Sequence, residues 1–209
     1  MLAFLLYSVI CLKHTFKNKY KITPETVTEE KDIKSNEPIT FNNGYLAVVD
    51  CDTLDSVKLN DALKGQPKEY IKKIVILNCN LIVDSLFSGC ISLTEIHLNC
   101  NKIGSAAFYS CVNLREVTIS KCDEIGYSAF YGCSSLNTVK YENTIEPTHG
   151  NDVFKECPNL KTVYVPEGYN GDKFCEILVA YIPTPTPIPP PTSAPIPPPT
   201  FLRLLYTKS

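Results

Sequence analysis

The residues able to do chemistry in this 209-residue chain are ten cysteines and three histidines. His14, His97 and His149 stand far apart in unrelated contexts, and their spacing predicts no metal ligand set. Seven cysteines recur periodically. Cys90, Cys111, Cys133 and Cys157 each follow a Phe by three residues, while Cys79, Cys100 and Cys122 form a second set. Such a pattern reads as a disulfide scaffold, a zinc site, or a small buried hydrophobe repeated because the fold repeats. Equivalent positions on stacked strands hold Cβ atoms about 4.8 Å apart and parallel, whereas a disulfide needs them near 3.8 Å and converging. The chain also has no Cys-x-x-Cys pair with which to begin a zinc site. Buried thiols are therefore expected in both sets, with Cys11, Cys51 and Cys175 unassigned. The sequence contains no Gly-x-Ser-x-Gly, no phosphate-cradling glycine loop and no distinctive carboxylate pair. No catalytic, cofactor-binding or metal-binding residue is predicted, and the chain reads as a non-enzyme.

The elements that carry these cysteines are copies of one unit, Phe-x-x-Cys-x-x-Leu-x-x-(Ile/Val)-x-(apolar). The copies are Phe87, Cys90, Leu93, Ile96, Leu98; Phe108, Cys111, Leu114, Val117, Ile119; Phe130, Cys133, Leu136, Val139, Tyr141; and Phe154, Cys157, Leu160, Val163, Val165. Successive Phe residues are 21, 22 and 24 apart (87 to 108, 108 to 130, 130 to 154), the period of a leucine-rich repeat. Ile71, Ile74, Ile76 and Ile82 make half of an earlier copy. One unit cannot bury its apolar face alone, so the units must stack into a continuous core. The predicted fold is an α/β repeat solenoid of the leucine-rich-repeat kind, right-handed, with mostly short parallel strands and few helical turns. Strands are expected near 71–77, 93–98, 114–119, 136–141 and 160–165, with the four Phe residues in one buried ladder. Copies also end in Ile-Gly-x-x-Ala-Phe, where Gly is expected to supply a turn backbone and Ala room for a tight return path. Glu146-Pro147-Thr148-His149-Gly150 breaks that ending and predicts a looser bulge.

Phe-x-x-Cys-x-x-Leu-x-x-Val-x-(apolar) followed by Ile-Gly-x-x-Ala-Phe resembles the BspA-like leucine-rich repeats, across roughly residues 71–165. The resemblance implies a surface antigen of the kind found on bacteria and parasitic protists, adhering to host cells or matrix. It also implies a membrane anchor beyond a stalk. Here Phe201–Tyr206 follow the proline tract and no anchor is seen, so membrane association is expected only with an anchor this chain lacks.

Composition narrows the field further. A formal net charge of −2, with scattered charges, offers no basic stripe for nucleic acid. Zero Trp and one Met argue against a promiscuous hydrophobic groove. Residues 1–12 contain an apolar run of signal-core length, too short to span a bilayer and without a basic start or Ala-x-Ala site. A secretory signal is expected there, with a mis-assigned start or a buried N-terminal strand as the alternatives. Residues 13–40 read as a poorly ordered lead. Residues 41–70 read as an N-terminal cap, with a hairpin turning at Asn43-Gly44 and a helix starting from Asp52-Thr53 and ending at Gly65. Residues 71–182 are the solenoid, closed by a short helix over Lys173–Tyr181. Residues 183–200 form a disordered Pro/Thr-rich tract, a spacer of about 55 Å if in polyproline geometry, and 201–209 a short tail.

The outward-facing strand positions form two rows: Lys73, Glu95, Glu116, Thr138, Thr162, and Val75, His97, Thr118, Lys140, Tyr164. From these the candidate binding face is Lys73, Glu95, His97, Glu116, Thr118, Thr138, Lys140, Thr162 and Tyr164. Two functions compete. The first is a cell-surface or secreted adhesion protein whose partner is a protein or host-surface ligand. The second is an intracellular scaffold binding another protein. Neither calls for a cofactor, nucleic acid or small-molecule substrate, and the absence of Asn-x-Ser/Thr predicts no N-linked glycan.

Overall fold

A computed structural model describes residues 39–182. The readings of a signal at 1–12 and of a proline spacer with its tail from 183 onward lie outside the described residues, as does the lead read over 13–40 up to residue 38. Its last two residues, Ile39 and Thr40, are instead ordered in the first strand, where they pair with Val48 and Ala47. Hairpin β1–β2 (Ile39–Asn42, Tyr45–Leu54) turns at Asn43-Gly44, both with positive φ. Helix α1 (Ser56–Leu63) and a single 3-10 turn (Lys68–Tyr70) follow. The coils then supply β3 (Lys73–Ile82), β4 (Glu95–Ile103), β5 (Glu116–Lys121), β6 (Glu124–Ile125), β7 (Thr138–Tyr141), β8 (Thr148–His149) and β9 (Val163–Val165). β10 (Lys173–Phe174) and β11 (Ile177–Tyr181) close the stack. The main sheet runs β1-β2-β3-β4-β5-β7-β9-β11-β10, parallel from β2 to β11. Among the described residues no helix is long and apolar enough to cross a membrane.

The strands begin about two residues later than the repeat unit predicts. Leu93, Leu114, Leu136 and Leu160 are buried, but each amide donates to the carbonyl of its own Phe-x-x-Cys cysteine, 2.9–3.1 Å away. The Leu thus closes a tight turn before the ladder starts. The stack also begins earlier than expected. β2 pairs in parallel with β3 through Leu46↔Ile74, Val48↔Ile76, Cys51↔Cys79 and Leu54↔Ile82, so it is a coil strand and not merely half of a cap hairpin. Consequently α1 starts after Leu54, with Asp55 as N-cap accepting from the Lys58 amide, and not from Asp52-Thr53. Its apolar side buries Leu59 and Leu63 and leaves Val57 exposed. The helix expected over Lys173–Tyr181 is instead the hairpin β10–β11, whose second strand continues the parallel sheet beside β9. Ile177 and Val179 favour a strand there, and the open edge of β9 provides backbone partners.

Each ladder reads down the stack. The rings of Phe87, Phe108, Phe130 and Phe154 stack at 5.3, 5.1 and 5.3 Å with planes within 12° of parallel. Next to them the buried thiols of Cys111, Cys133 and Cys157 donate to the carbonyls of Phe87, Phe108 and Phe130 at 3.2–3.3 Å, tying each coil to the one before. The second cysteine ladder begins at Cys51, which the sequence left unassigned, and its thiols donate two residues onward in their own coil: Cys51 to the Thr53 carbonyl, Cys79 to Leu81 and Cys122 to Glu124, with Cys122 also 3.7 Å from the Asn101 carbonyl of the preceding coil. Burial pushes the Cys79 thiol up to about 11 and the Cys90 thiol up to about 12, leaving both protonated and unreactive near neutral pH. All nine described cysteines are buried free thiols.

The glycine of Ile-Gly-x-x-Ala-Phe has a different task from the one its type implies. Gly126 does not carry a positive φ; a Cβ there would lie 2.4 Å from the Ser105 amide nitrogen of the preceding coil. The glycine exists for close approach between coils. The left-handed backbone falls two residues later, at Ser85, Ala106, Ser128 and Asp152, all with φ of 53–61°. Gly126→Ala should therefore lower stability by about 1–3 kcal/mol, since the backbone it meets cannot yield cheaply. Leu114→Ala, in the middle of the core, should cost about 2–5 kcal/mol. Chemical denaturation of the two variants checks both figures.

Candidate binding face

The outer face of the sheet is built by register. Tyr45, Lys73, Glu95, Glu116 and Thr138 are consecutive partners, and so are Ala47, Val75, His97, Thr118, Lys140 and Tyr164. Thr162 directly precedes β9, next to Val163, which pairs with Val139. Alternation along each strand sends the intervening Ile74, Ile96, Val117, Val139 and Val163 into the core, so the rows face away from it. Tyr45 and Ala47 belong to this face too. Sequence reading missed them because the first coil has no Phe-x-x-Cys; its one visible signal was Cys51, 28 residues before Cys79.

Much of the charge on the face is consumed internally. The Lys73 ammonium pairs with Glu95 Oε2, and Glu95 Oε1 lies 2.8 Å from His97 Nε2. Across the next two coils Lys140 Nζ meets Glu116 Oε1 at 2.5 Å. The bond to His97, with further help from Lys73, holds the Glu95 carboxyl down at about 2 despite partial burial. Thr118 departs from expectation. It was expected to project from the face as a contact, yet it is only 2% exposed. Its short side chain sits in register between His97 and Lys140, and the long Lys140 side chain reaches across to Glu116 on the strand of Thr118 itself. Thr118 is thus floor, not contact surface. Lys73, Glu95, His97, Glu116, Thr138, Lys140 and Thr162 are partly exposed, and Tyr164 is the exposed aromatic of the face. A separate shallow groove of about 290 Å³ lies at the turn end, between Asp84, Lys102, Glu124, Tyr127 and His149.

A stack of short parallel strands with self-stacking Phe, Cys and Ile ladders defines a leucine-rich-repeat solenoid, a scaffold suited to protein–protein interaction. The family model described as BspA type leucine rich repeat region matches residues 60–172 in six copies, and the chain belongs to that family. Among solved structures it is similar to a leucine-rich repeat protein from Bacteroides ovatus ATCC 8483, with 29% identity over 55% of this chain and 31% of that one, at a TM-score of 0.43. It is also similar to a leucine rich cell surface protein from Faecalibacterium prausnitzii A2-165, with 23% identity, 63% and 35% coverage and a TM-score of 0.41. A T. pallidum leucine rich repeat protein matches at 19% identity, 66% and 70% coverage and a TM-score of 0.33. The chain spans about a third of the length of the first two. No curated protein matches it.

The Glu95 cluster makes a pH prediction. A carboxyl lowered from 4.5 to about 2 by folding contributes stability that is fully present above 4.5 and is lost as pH falls toward 2. Denaturation midpoints of the parent should fall through that window, and Glu95→Gln should flatten the fall. An equal slope in parent and variant would show that other carboxyls dominate.

Proposed function

We propose that this chain is a non-catalytic binding protein that works at a cell surface or after secretion, attaching to host cells, matrix or another protein through the outer sheet face. Family membership supports a binding role, and the BspA-like resemblance favours a surface setting. One structural observation carries the choice of surface. The row Ala47, Val75, His97, Thr118, Lys140 runs unbroken across consecutive coils to exposed Tyr164, which Thr162 flanks, and the closing hairpin adds Ala180 beside it. An aromatic flanked by polar groups is the composition of an interface anchor. Because the neighbouring charges already neutralise each other, a single face should bind weakly, and many copies on one surface would strengthen attachment. In this reading the outer rows from β2 to β9 present the face, while α1 and the closing hairpin seal the two ends of the stack. A second reading, an intracellular scaffold, is favoured by one observation: all nine described cysteines are free, as they would be in a reducing compartment.

The test exchanges a charge pair without removing it. Glu116→Lys with Lys140→Glu keeps an ion pair across the coils while reversing its pattern, and Tyr164→Ala removes the aromatic. Beads coated with the triple variant should attach to cultured epithelial cells several-fold less than parent-coated beads, with Tm nearly unchanged. Equal attachment would rule out the sheet face and direct attention to the groove beside His149.

A further inference from the structure

The coil before the last breaks the ladders in a chemically specific way. The row that runs Leu54, Ile82, Ile103, Ile125 continues not with another aliphatic but with His149, its registered partner on β8. Three residues earlier in each coil stands the second cysteine ladder, Cys51, Cys79, Cys100 and Cys122; the same count in this coil reaches Glu146. Two interior apolar positions have thus become a carboxylate and an imidazole. Against them packs a third donor from the terminal hairpin, Cys175. The ligand atoms of Glu146, His149 and Cys175 all lie within 4.8 Å of one another, and His149 Nε2 is 3.6 Å from Glu146 Oε1.

Three further features distinguish this group from a chance end-of-stack ion pair. First, Cys175 is 4% exposed, and among the described residues its thiol, like those of Cys90 and Cys100 but unlike those of Cys111, Cys133 and Cys157, donates to no carbonyl, so it is free to serve as a ligand. A Glu–His pair alone has no use for it. Second, Cys175 has φ of 46° and Glu176 φ of 72°, in the two-residue turn between β10 and β11 where Asn-Gly is the unstrained choice. A strained backbone position is thus held by a thiol. Third, His149 Nδ1 lies 3.1 Å from the Gly150 carbonyl. A hydrogen on Nδ1 donates there and leaves the lone pair on Nε2, the nitrogen that faces Glu146. Meanwhile the Cys175 amide donates to Glu146 Oε1 at 2.8 Å, which orients the carboxylate.

We propose that Glu146, His149 and Cys175 form a binding site for a borderline-soft divalent ion of the zinc class. Zinc takes thiolate, imidazole and carboxylate at about 2.0–2.3 Å, so neighbouring ligands in a tetrahedron stand roughly 3.3–3.6 Å apart. The Glu146–His149 separation already fits, and closing the remaining gaps takes shifts of about 1 Å or less at each side chain. Calcium and magnesium, which demand oxygen ligands, are excluded by the sulfur and nitrogen. Coordination replaces the thiol proton of Cys175 by the metal, with solvent in the fourth position on the side of the partly exposed His149. The ion would clip the irregular loop between β7 and β9 to the closing hairpin, sealing the end of the core.

The experiment uses the full chain, stripped with chelator and kept reduced. Titration with Zn²⁺ should give one bound ion per chain and a rise in Tm; Co²⁺ should give thiolate-to-cobalt charge-transfer absorption; Ca²⁺ and Mg²⁺ should give neither. Cys175→Ala and His149→Gln should each abolish the cobalt band and the zinc-dependent rise in Tm. His149→Gln keeps a polar side chain at a partly exposed position, so it reads the site even if Cys175→Ala proves too unstable to purify. A cobalt band that survives His149→Gln would place the metal on other cysteines and overturn the proposal, as would a parent that binds no zinc at micromolar concentration.

Discussion

Adjacent strands of a parallel sheet are held about 4.8 Å apart by their backbone hydrogen bonds, and in this fold every coil inherits that spacing. A side chain can therefore be buried only if it tolerates a copy of itself, or something of its shape, one coil away. Phe meets the condition by near-parallel stacking at 5.1–5.3 Å. Cysteine meets it because a thiol is small and can give its hydrogen to a carbonyl of the neighbouring coil. Glycine is imposed where backbones would collide, as at Gly126 against Ser105. The helix at one end and the hairpin at the other exist because the first and last coils have no such copy to stack against.

That constraint explains how much of the fold could be read from residues alone. Where a position must match its copies, the match is printed in the sequence, so the Phe and Cys ladders were visible and their order along the stack followed. The first coil escaped because its return path is a helix: without Phe-x-x-Cys, Cys51 alone echoes the ladders, and Leu46, Val48 and Leu54 read as any buried strand. Strand starts were misplaced because Leu93 and its equivalents are as buried as strand residues while their amides close a turn. At the far end, Lys173–Tyr181 has the residue mix of a short helix or a strand, and only the unfilled edge of β9 decides between them.

The candidate face was legible in outline for the same reason, since period-two alternation and a fixed register place the outer rows. What those rows do to one another was not legible. The pairing of Lys140 with Glu116 and the joint hold of Lys73 and His97 on Glu95 depend on side-chain reach across coils, as does the covering of Thr118. The Glu146–His149–Cys175 cluster was harder still. Glu146 and His149 are three residues apart, but the third donor arrives 26 residues after His149 through a hairpin that the sequence did not announce.

The cysteine ladders give the molecule two unlike responses to oxidants. While the stack is closed, the thiols are buried, and burial keeps those of Cys79 and Cys90 protonated, so a mild oxidant finds little thiolate to attack there. Opening the array changes this at once, because neighbouring coils lose their mutual cover together and release many thiols of ordinary reactivity within a short length of chain. Under oxidising conditions these would couple in pairings that the parallel stack cannot accommodate. Unfolding then becomes a one-way event, and survival outside a reducing environment depends on how slowly the coils part and not on the equilibrium between closed and open forms.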